Sequence, residues 1–392
     1  MLRSGQALAA SLLAVVWFGC SAGNQQRVRL HAIPRPTRTG TQVAREQPRP
    51  SDPTPPHTNA APLPQTALVP TAAPVLPAVR SALGVDWVSL AAWVQANQCG
   101  AVQRLLGASQ VTMEFTCPHG LFRLAANSPW AYCDGVACWL GFPPTAANGE
   151  LLVHQLDAEK CLHPLLAPLS LPSNADRLVV IDPGHGGESP GTRSVVTGQP
   201  EKHYALDWAQ RLAPLLEAKG WRVVLTRTND VELSLPERAA IADRWQATLF
   251  ISLHFNSTPS SDLQGIETFC LTPTGMPSTI TREYEDDATR VFPNNAYDRE
   301  NVALAFRLHR ALLAATDAGD RGVRRARFMG VLRPQQRPAV LIEGGYLSNP
   351  EEAQRIDTAG YRQKLAEAIA QALTGRGLAL DAATASTPQT SP

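Results

Sequence analysis

The chain has 392 residues, 33 of them proline, with 18% charged residues and a formal net charge of +1. Folded proteins average about 25% charged residues and about 5% proline, so part of this chain departs from globular composition. A balance of charge this even excludes a dedicated nucleic-acid binder, which would concentrate Lys and Arg.

In chain order, Met1-Leu2-Arg3 precedes an apolar run from Ala7 to Phe18. One positive charge followed by about a dozen apolar residues is the pattern of an export signal, too short for a spanning helix of about 20. Gly19-Cys20 is similar to the processing site of bacterial lipoproteins, in which the cysteine becomes the lipidated first residue; Trp17 departs from the aliphatic residue usual there. The expectation is an exported, periplasmic chain with residues 1–20 as signal and a lipid anchor through Cys20. Ser21 suits an outer-membrane destination in a two-membrane bacterium. Residues 21–84 read as a disordered tether: 12 prolines fall between 21 and 80, with seven Arg, two acidic residues and almost no aromatic pattern. Such a stretch cannot bury enough surface to offset ordering entropy.

Residues 85–172 read as a small β-rich domain. Trp87, Leu90, Ala91 and Val94 predict one amphipathic helix. Strands are predicted at Val111–Phe115, Leu121–Leu124, Trp130–Cys133 and Val136–Leu140, the last two joined by Asp134-Gly135, a two-residue hairpin signal. Five cysteines lie here: Cys99, Cys117, Cys133, Cys138 and Cys161, with Cys270 further on. In an exported protein disulfides are the expectation, with connectivity open and one thiol left over or paired to Cys270; Cys133 and Cys138 sit diagonally across the hairpin, a poor geometry for bridging. The segment resembles the copper amine oxidase N-terminal-like domain, an accessory module, and no catalysis is assigned to it.

Residues 174–376 alternate strand and helix, predicting an α/β fold with an open, largely parallel sheet and helices on both faces. Strands are expected at Leu178–Ile181, Val223–Leu225, Leu249–Leu253 and Ala339–Ile342. The helix over 202–219 should bury Leu206, Ala209, Ala213 and Leu216 and kink at Pro214. Ser234-Leu235-Pro236-Glu237 is a capping box opening a helix through Ala247. Further helices are expected at 299–315 and Tyr361–Leu373, and a disordered tail over 377–392. Ligands of such sheets bind beyond the carboxyl ends of the strands. Three of those ends carry polar residues: His185 in "VVIDPGHGGESPG", His254 in "LFISLHFNS" and Glu343 in "AVLIEGGYLSN". Glu201 opens the helix after the first strand's loop. Two imidazoles and two carboxylates suit a zinc site with an open position, one carboxylate being free to act as a base. His203 and His309 read as surface or helix residues.

The pieces "IDPGHGG", "PEK", "VVLTRT", "SLHFNS", "DRGVRRARFMGVLR" and "PAVLIEGGYLSNPEE" occur in order over residues 178–376. By these motifs the segment resembles the catalytic domain of zinc-dependent N-acetylmuramoyl-L-alanine amidases. The resemblance implies Zn2+ bound by His185, Glu201 and His254, with Glu343 as the catalytic carboxylate. It implies hydrolysis of the amide between the lactyl group of N-acetylmuramic acid and L-alanine in peptidoglycan, during wall remodelling and daughter-cell separation, with a protein activator of unassigned identity as a further partner. Ser189 and His203 depart from the acidic residue and the Asp common at those positions. The alternatives are a zinc peptidase acting elsewhere on stem peptides, and a non-catalytic wall-binding regulator that keeps the fold. A charged insertion between Thr272 and Asn301 holds Glu283, Glu285, Asp286 and Asp287, any of which would restrain access to the metal if it reached the site.

Overall fold

The computed structural model describes residues 86–166, 169, 177–281 and 286–374. The signal, Cys20, the tether and the C-terminal tail lie outside the described residues, as do Glu283 and Glu285.

The amino-terminal segment begins with strand β1 (Trp87–Ser89) and helix α1 (Leu90–Ala96), capped by the Ser89 hydroxyl. The helix buries Leu90, Trp93 and Val94, whereas Ala91 is exposed. The face expected from Trp87 is therefore shifted, because Trp87 belongs to the strand. Strands β2 (Gln103–Arg104), β3 (Thr112–Cys117), β4 (Gly120–Ala125), β5 (Trp130–Cys133) and β6 (Val136–Trp139) form an antiparallel meander. Asp134 and Gly135 take φ of 49° and 79°, the double positive φ that a tight hairpin turn demands. Strand β8 (Glu150–His154) pairs with β1 on one side and with β7 (Thr145–Ala147) on the other in a separate three-stranded sheet. A single turn, α2 (Gln155–Asp157), and two irregular turns to Leu165 follow.

Among the described cysteines only Cys99 and Cys117 are bonded to each other; Cys133, Cys138, Cys161 and Cys270 are buried thiols. The expectation of disulfides holds for Cys99 and Cys117 and is corrected for the other four described cysteines, none of which is bridged. Cys133 faces Val136 across the hairpin and Cys138 faces Ala131, so the two sulfurs stand at offset positions and serve as small apolar fillers.

The second segment runs β9 (Leu178–Pro183), α3 (Glu201–Glu217), β10 (Arg222–Leu225), α4 (Leu235–Arg244), β11 (Leu249–Asn256), β12 (Ile266–Cys270), α5 (Asp298–Thr316), β13 (Asp320–Arg325), β14 (Ala339–Tyr346), α6 (Pro350–Asp357) and α7 (Ala359–Ala372). Strands β10, β9, β11 and β14 are parallel neighbours in that order. Strand β12 runs antiparallel to β14, and β13 is parallel to β12, so the sheet is mixed at that side. It does not stop there: β13 pairs with β6, and the meander extends it to eleven strands.

The alternation of side chains along the central strands explains the two covered faces. Val179, Ile181, Ile251, Leu253, Val340 and Ile342 meet the buried residues of α3, α5 and α7. Leu178, Val180, Phe250 and Leu341 meet Ala242 of α4 and Met329 and Leu332 of the segment before β14. Helix α3 buries Tyr204, Ala205, Trp208, Ala209, Leu212 and Leu216, while Leu206 and Ala213 of the expected face are only half-buried. The stripe follows Trp208, the largest side chain available to fill the space above β11. Pro214 sits in the last turn of a helix that continues as one element to Glu217. The capping box is formed as expected: Glu237 N donates to the Ser234 hydroxyl and Ser234 N to the Glu237 carboxylate.

Candidate metal centre

Strand β9 ends in Asp182-Pro183, and the chain then turns sharply over the sheet edge. His185 takes φ of +59°, a left-handed conformation rare for a residue with a side chain. What holds it there is a buried ionic lattice. Arg238 Nη1 lies 2.7 Å from Asp182 Oδ1 and donates to the Pro183 carbonyl, and Arg238 Nη2 donates to the His185 carbonyl at 2.8 Å. Arg227 donates to the carbonyls of Pro183, Gly184 and Lys202. Asp182 also accepts from the hydroxyls of Thr226 and Ser252. Burial alone would raise the Asp182 carboxyl; Arg238 and the hydroxyl donors outweigh it and hold it below the ordinary range. Burial and the neighbouring Arg238 lower the Arg227 guanidinium to about 10. Gly184 is required by contact, since a Cβ there would fall on the imidazole of His254.

The structure brings His185, Glu201 and His254 together, their candidate ligand atoms all within 4.8 Å of one another. His254 Nδ1 lies 2.9 Å from Glu201 Oε1, and His185 Nε2 lies 3.2 Å from Glu201 Oε2. Donors seated tetrahedrally at about 2.1 Å from one ion stand about 3.4 Å apart, and the two imidazole–carboxylate separations lie near that value. Two imidazoles and a carboxylate are also the donor chemistry that zinc favours. Glu201 is the first residue of α3, where the helix dipole favours a carboxylate. The backbone N–H groups of Thr192 and Phe255 donate to it. Burial opposes its charge, yet His185 and His254 hold its carboxyl well below the usual range. His185 Nδ1 lies 3.0 Å from the Ser189 hydroxyl, so the serine that departs from the acidic pattern still orients the ring. Burial lowers the His254 imidazole, favouring its neutral, ligating form.

Glu343 stands in register beside His254 on one side and Glu267 of β12 on the other. Directly opposed residues share a face of the sheet, so these three side chains form a row. Glu343 is 2% exposed, and its Oε2 has no hydrogen-bond partner among the described residues. Burial first, then Glu201 and Glu267, push its carboxyl well above the ordinary range. Glu267, absent from the sequence reading, is 1% exposed and accepts from Asn256, Arg321, Arg324 and Tyr346. A charged residue inside the otherwise uncharged run Ile266–Cys270 was the available signal.

Other candidates stay away from the trio. His203 is exposed and 4.0 Å from Asp230, and His309 is buried between Thr268 and Asp320. Asp286 is held by Ser278 and Arg327, and Asp287 bonds Thr289, so both acids are engaged away from the trio.

The family model described as N-acetylmuramoyl-L-alanine amidase matches residues 179–375, a span that contains all four of these residues. The chain belongs to the N-acetylmuramoyl-L-alanine amidase family. The amidase AmiA of Escherichia coli (strain K12) is 30% identical over 225 residues, covering 52% of this chain and 77% of that protein. The amidase LytC of Bacillus subtilis (strain 168) is 34% identical over 191 residues, covering 49% of this chain and 34% of LytC. A crystal structure of an N-acetylmuramoyl-L-alanine amidase from Clostridium difficile 630 is 32% identical and covers 51% of this chain and 96% of that one, with a TM-score of 0.42. The amidase match begins within β9, so residues 86–166 lie outside it.

Proposed function

We propose that His185, Glu201 and His254 hold a zinc ion and that Glu343 moves the proton as the chain cleaves the amide joining the lactyl group of N-acetylmuramic acid to L-alanine in peptidoglycan. The observation that carries this reading is the convergence of the three donors at the edge where Glu343 stands in register with His254. Zinc held there would polarise the substrate carbonyl and make a water acidic near neutral pH. The chain's own groups do the rest. Glu343, buried and with one oxygen unbonded, accepts a proton from the attacking water. The carbonyl carbon–nitrogen bond breaks, and Glu343 returns that proton to the departing alanine nitrogen. An amine leaves only when protonated, so one group that takes and gives back the same proton suffices. Ser189 and the Asp182–Arg238 lattice hold His185, and the Thr192 and Phe255 amides hold Glu201.

Glu343 is retained, which favours a catalyst over a wall-binding regulator. We further propose that the mature chain is exported and anchored to a membrane through Cys20, and that residues 86–166 are an accessory segment joined to the catalytic sheet through β6. No helix among the described residues is long and apolar enough to cross a membrane. Digestion of purified peptidoglycan tests the activity: released peptides should begin with free L-alanine and the glycan should keep intact muramic acid. Peptides cut at any other bond would point to a peptidase. Intact mass of the mature protein tests the anchor.

A further inference from the structure

Strand β13 carries two arginines that reach one carboxylate oxygen: Arg321 Nε lies 2.6 Å and Arg324 Nη1 3.0 Å from Glu267 Oε1. Residues three apart on a regular strand face opposite sides of a sheet. Here the register slips between Ile266↔Asp320 and Thr268↔Val323, so three residues of β13 advance against two of β12. That bulge brings Arg321 and Arg324 to the same side. Gly322 lies within it at φ +84°, and a Cβ there would stand 2.8 Å from the Trp130 ring and 3.0 Å from the Ala137 carbonyl oxygen.

The element that grips β13 is β6 of the amino-terminal segment. Val323 pairs with Cys138, Ala137 N donates to Asp320 Oδ2 at 2.8 Å, and Trp139 Nε1 donates to the Arg321 carbonyl at 3.2 Å. Arg325 donates to the Trp139 carbonyl. The Arg324 guanidinium sits 4.5 Å from the centre of the Trp139 ring, which itself rests against Trp130. A cation over a ring face is attracted to it. The tryptophan lies outside the stretch matched to the amidase family, whereas Arg324 and Glu267 lie within it.

We propose that Trp139 is a positioning residue for the amidase reaction: its ring fixes the Arg324 guanidinium against Glu267, and Glu267 in turn sets the place of its register partner Glu343. The inference rests on the role given to Glu343 above. Glu267 keeps Arg321, Asn256 and Tyr346 when Arg324 is released, so the carboxylate row shifts without collapsing. A shift of the proton-moving group slows the chemical step and leaves binding of substrate and metal in place.

The test uses the full chain loaded with zinc. For Trp139→Leu, Trp139→Phe, Arg324→Gln and Glu343→Gln, kcat and KM on a soluble muramoyl peptide are measured beside zinc per chain and the thermal midpoint. Trp139→Leu keeps apolar bulk but lacks the ring face; its kcat should fall about tenfold with KM within about twofold and zinc content unchanged. Trp139→Phe should recover most of the rate. Arg324→Gln leaves the β6 contacts with the β13 backbone intact and should show the same kcat loss, which keeps the test open if the leucine variant does not fold. Wild-type kcat in Trp139→Leu or Arg324→Gln, a loss that phenylalanine does not recover, or a loss that follows KM or zinc content overturns the positioning role. Full activity in Glu343→Gln overturns the role of Glu343 instead, and an inactive Glu343→Gln beside a wild-type Trp139→Leu overturns the role of Trp139 alone.

Discussion

Replacing Asp182 by Asn removes one charge from the lattice that carries His185. Asp182 is 1% and Arg238 4% exposed, and their charged atoms are 2.7 Å apart. Breaking a buried pair from one side leaves the other charge uncompensated, which costs about 3–5 kcal/mol. At about 2–4 °C per kcal/mol for a unit of this size, the melting temperature at pH 7 should drop on the order of 10 °C. The pH dependence follows from the direction of the Asp182 shift. Its carboxyl is lowered in the folded state, so the unfolded chain binds more protons in the acid range. The stability it supplies is therefore present above the ordinary carboxylate value near 3.9 and fades as pH falls through the folded value. Wild type and Asp182→Asn should differ fully at pH 7 and draw together below about pH 4. Because Arg238 also holds the His185 carbonyl, zinc affinity should fall about 10- to 100-fold, measured by competition with a chromogenic chelator. A variant that melts within about 1 °C of wild type at pH 7 and keeps its zinc affinity would refute the reasoning.

Ser189→Ala should weaken zinc binding about 10- to 100-fold with little change in melting temperature, since the hydroxyl orients only the His185 ring. Ser234→Ala should cost about 1 kcal/mol in a denaturant titration, because it removes one side of the α4 capping box. Burial pushes Cys133 and Cys270 up to about 12 and raises Cys138 and Cys161 as well, so none of the four should be alkylated at pH 8 in the folded protein. Peptide mapping should find all four labelled only after unfolding, and rapid labelling of any of them in the native state would contradict their placement.

The residues that converge on the centre were legible because each sits where a parallel strand ends or a helix begins, positions that topology forces together. His185, Glu201, His254 and Glu343 needed only the order of elements. What supports them was not legible in that way. Asp182 and Arg238 are separated by 56 residues along the chain, and nothing local in either segment marks them as partners. Glu267 lies on a strand that runs against its neighbour, and the approach of Arg321 and Arg324 depends on a one-residue bulge that periodicity does not reveal. Trp139 read as one more apolar residue of a hairpin; its meaning comes from β6 joining β13, a pairing between segments 185 residues apart. The helix face of α3 was misjudged by a residue for a similar reason, since the bulk of Trp208 decides the packing more than the spacing of the leucines.

The central claim is that three side chains from distant parts of the chain share one zinc ion. Anomalous diffraction recorded at the zinc edge from crystals of the zinc-loaded protein tests it directly. The account predicts one strong peak about 2.0–2.2 Å from donor atoms of His185, Glu201 and His254, with Glu343 beside it. A peak on other residues, or no peak in protein that still cleaves peptidoglycan, would contradict it.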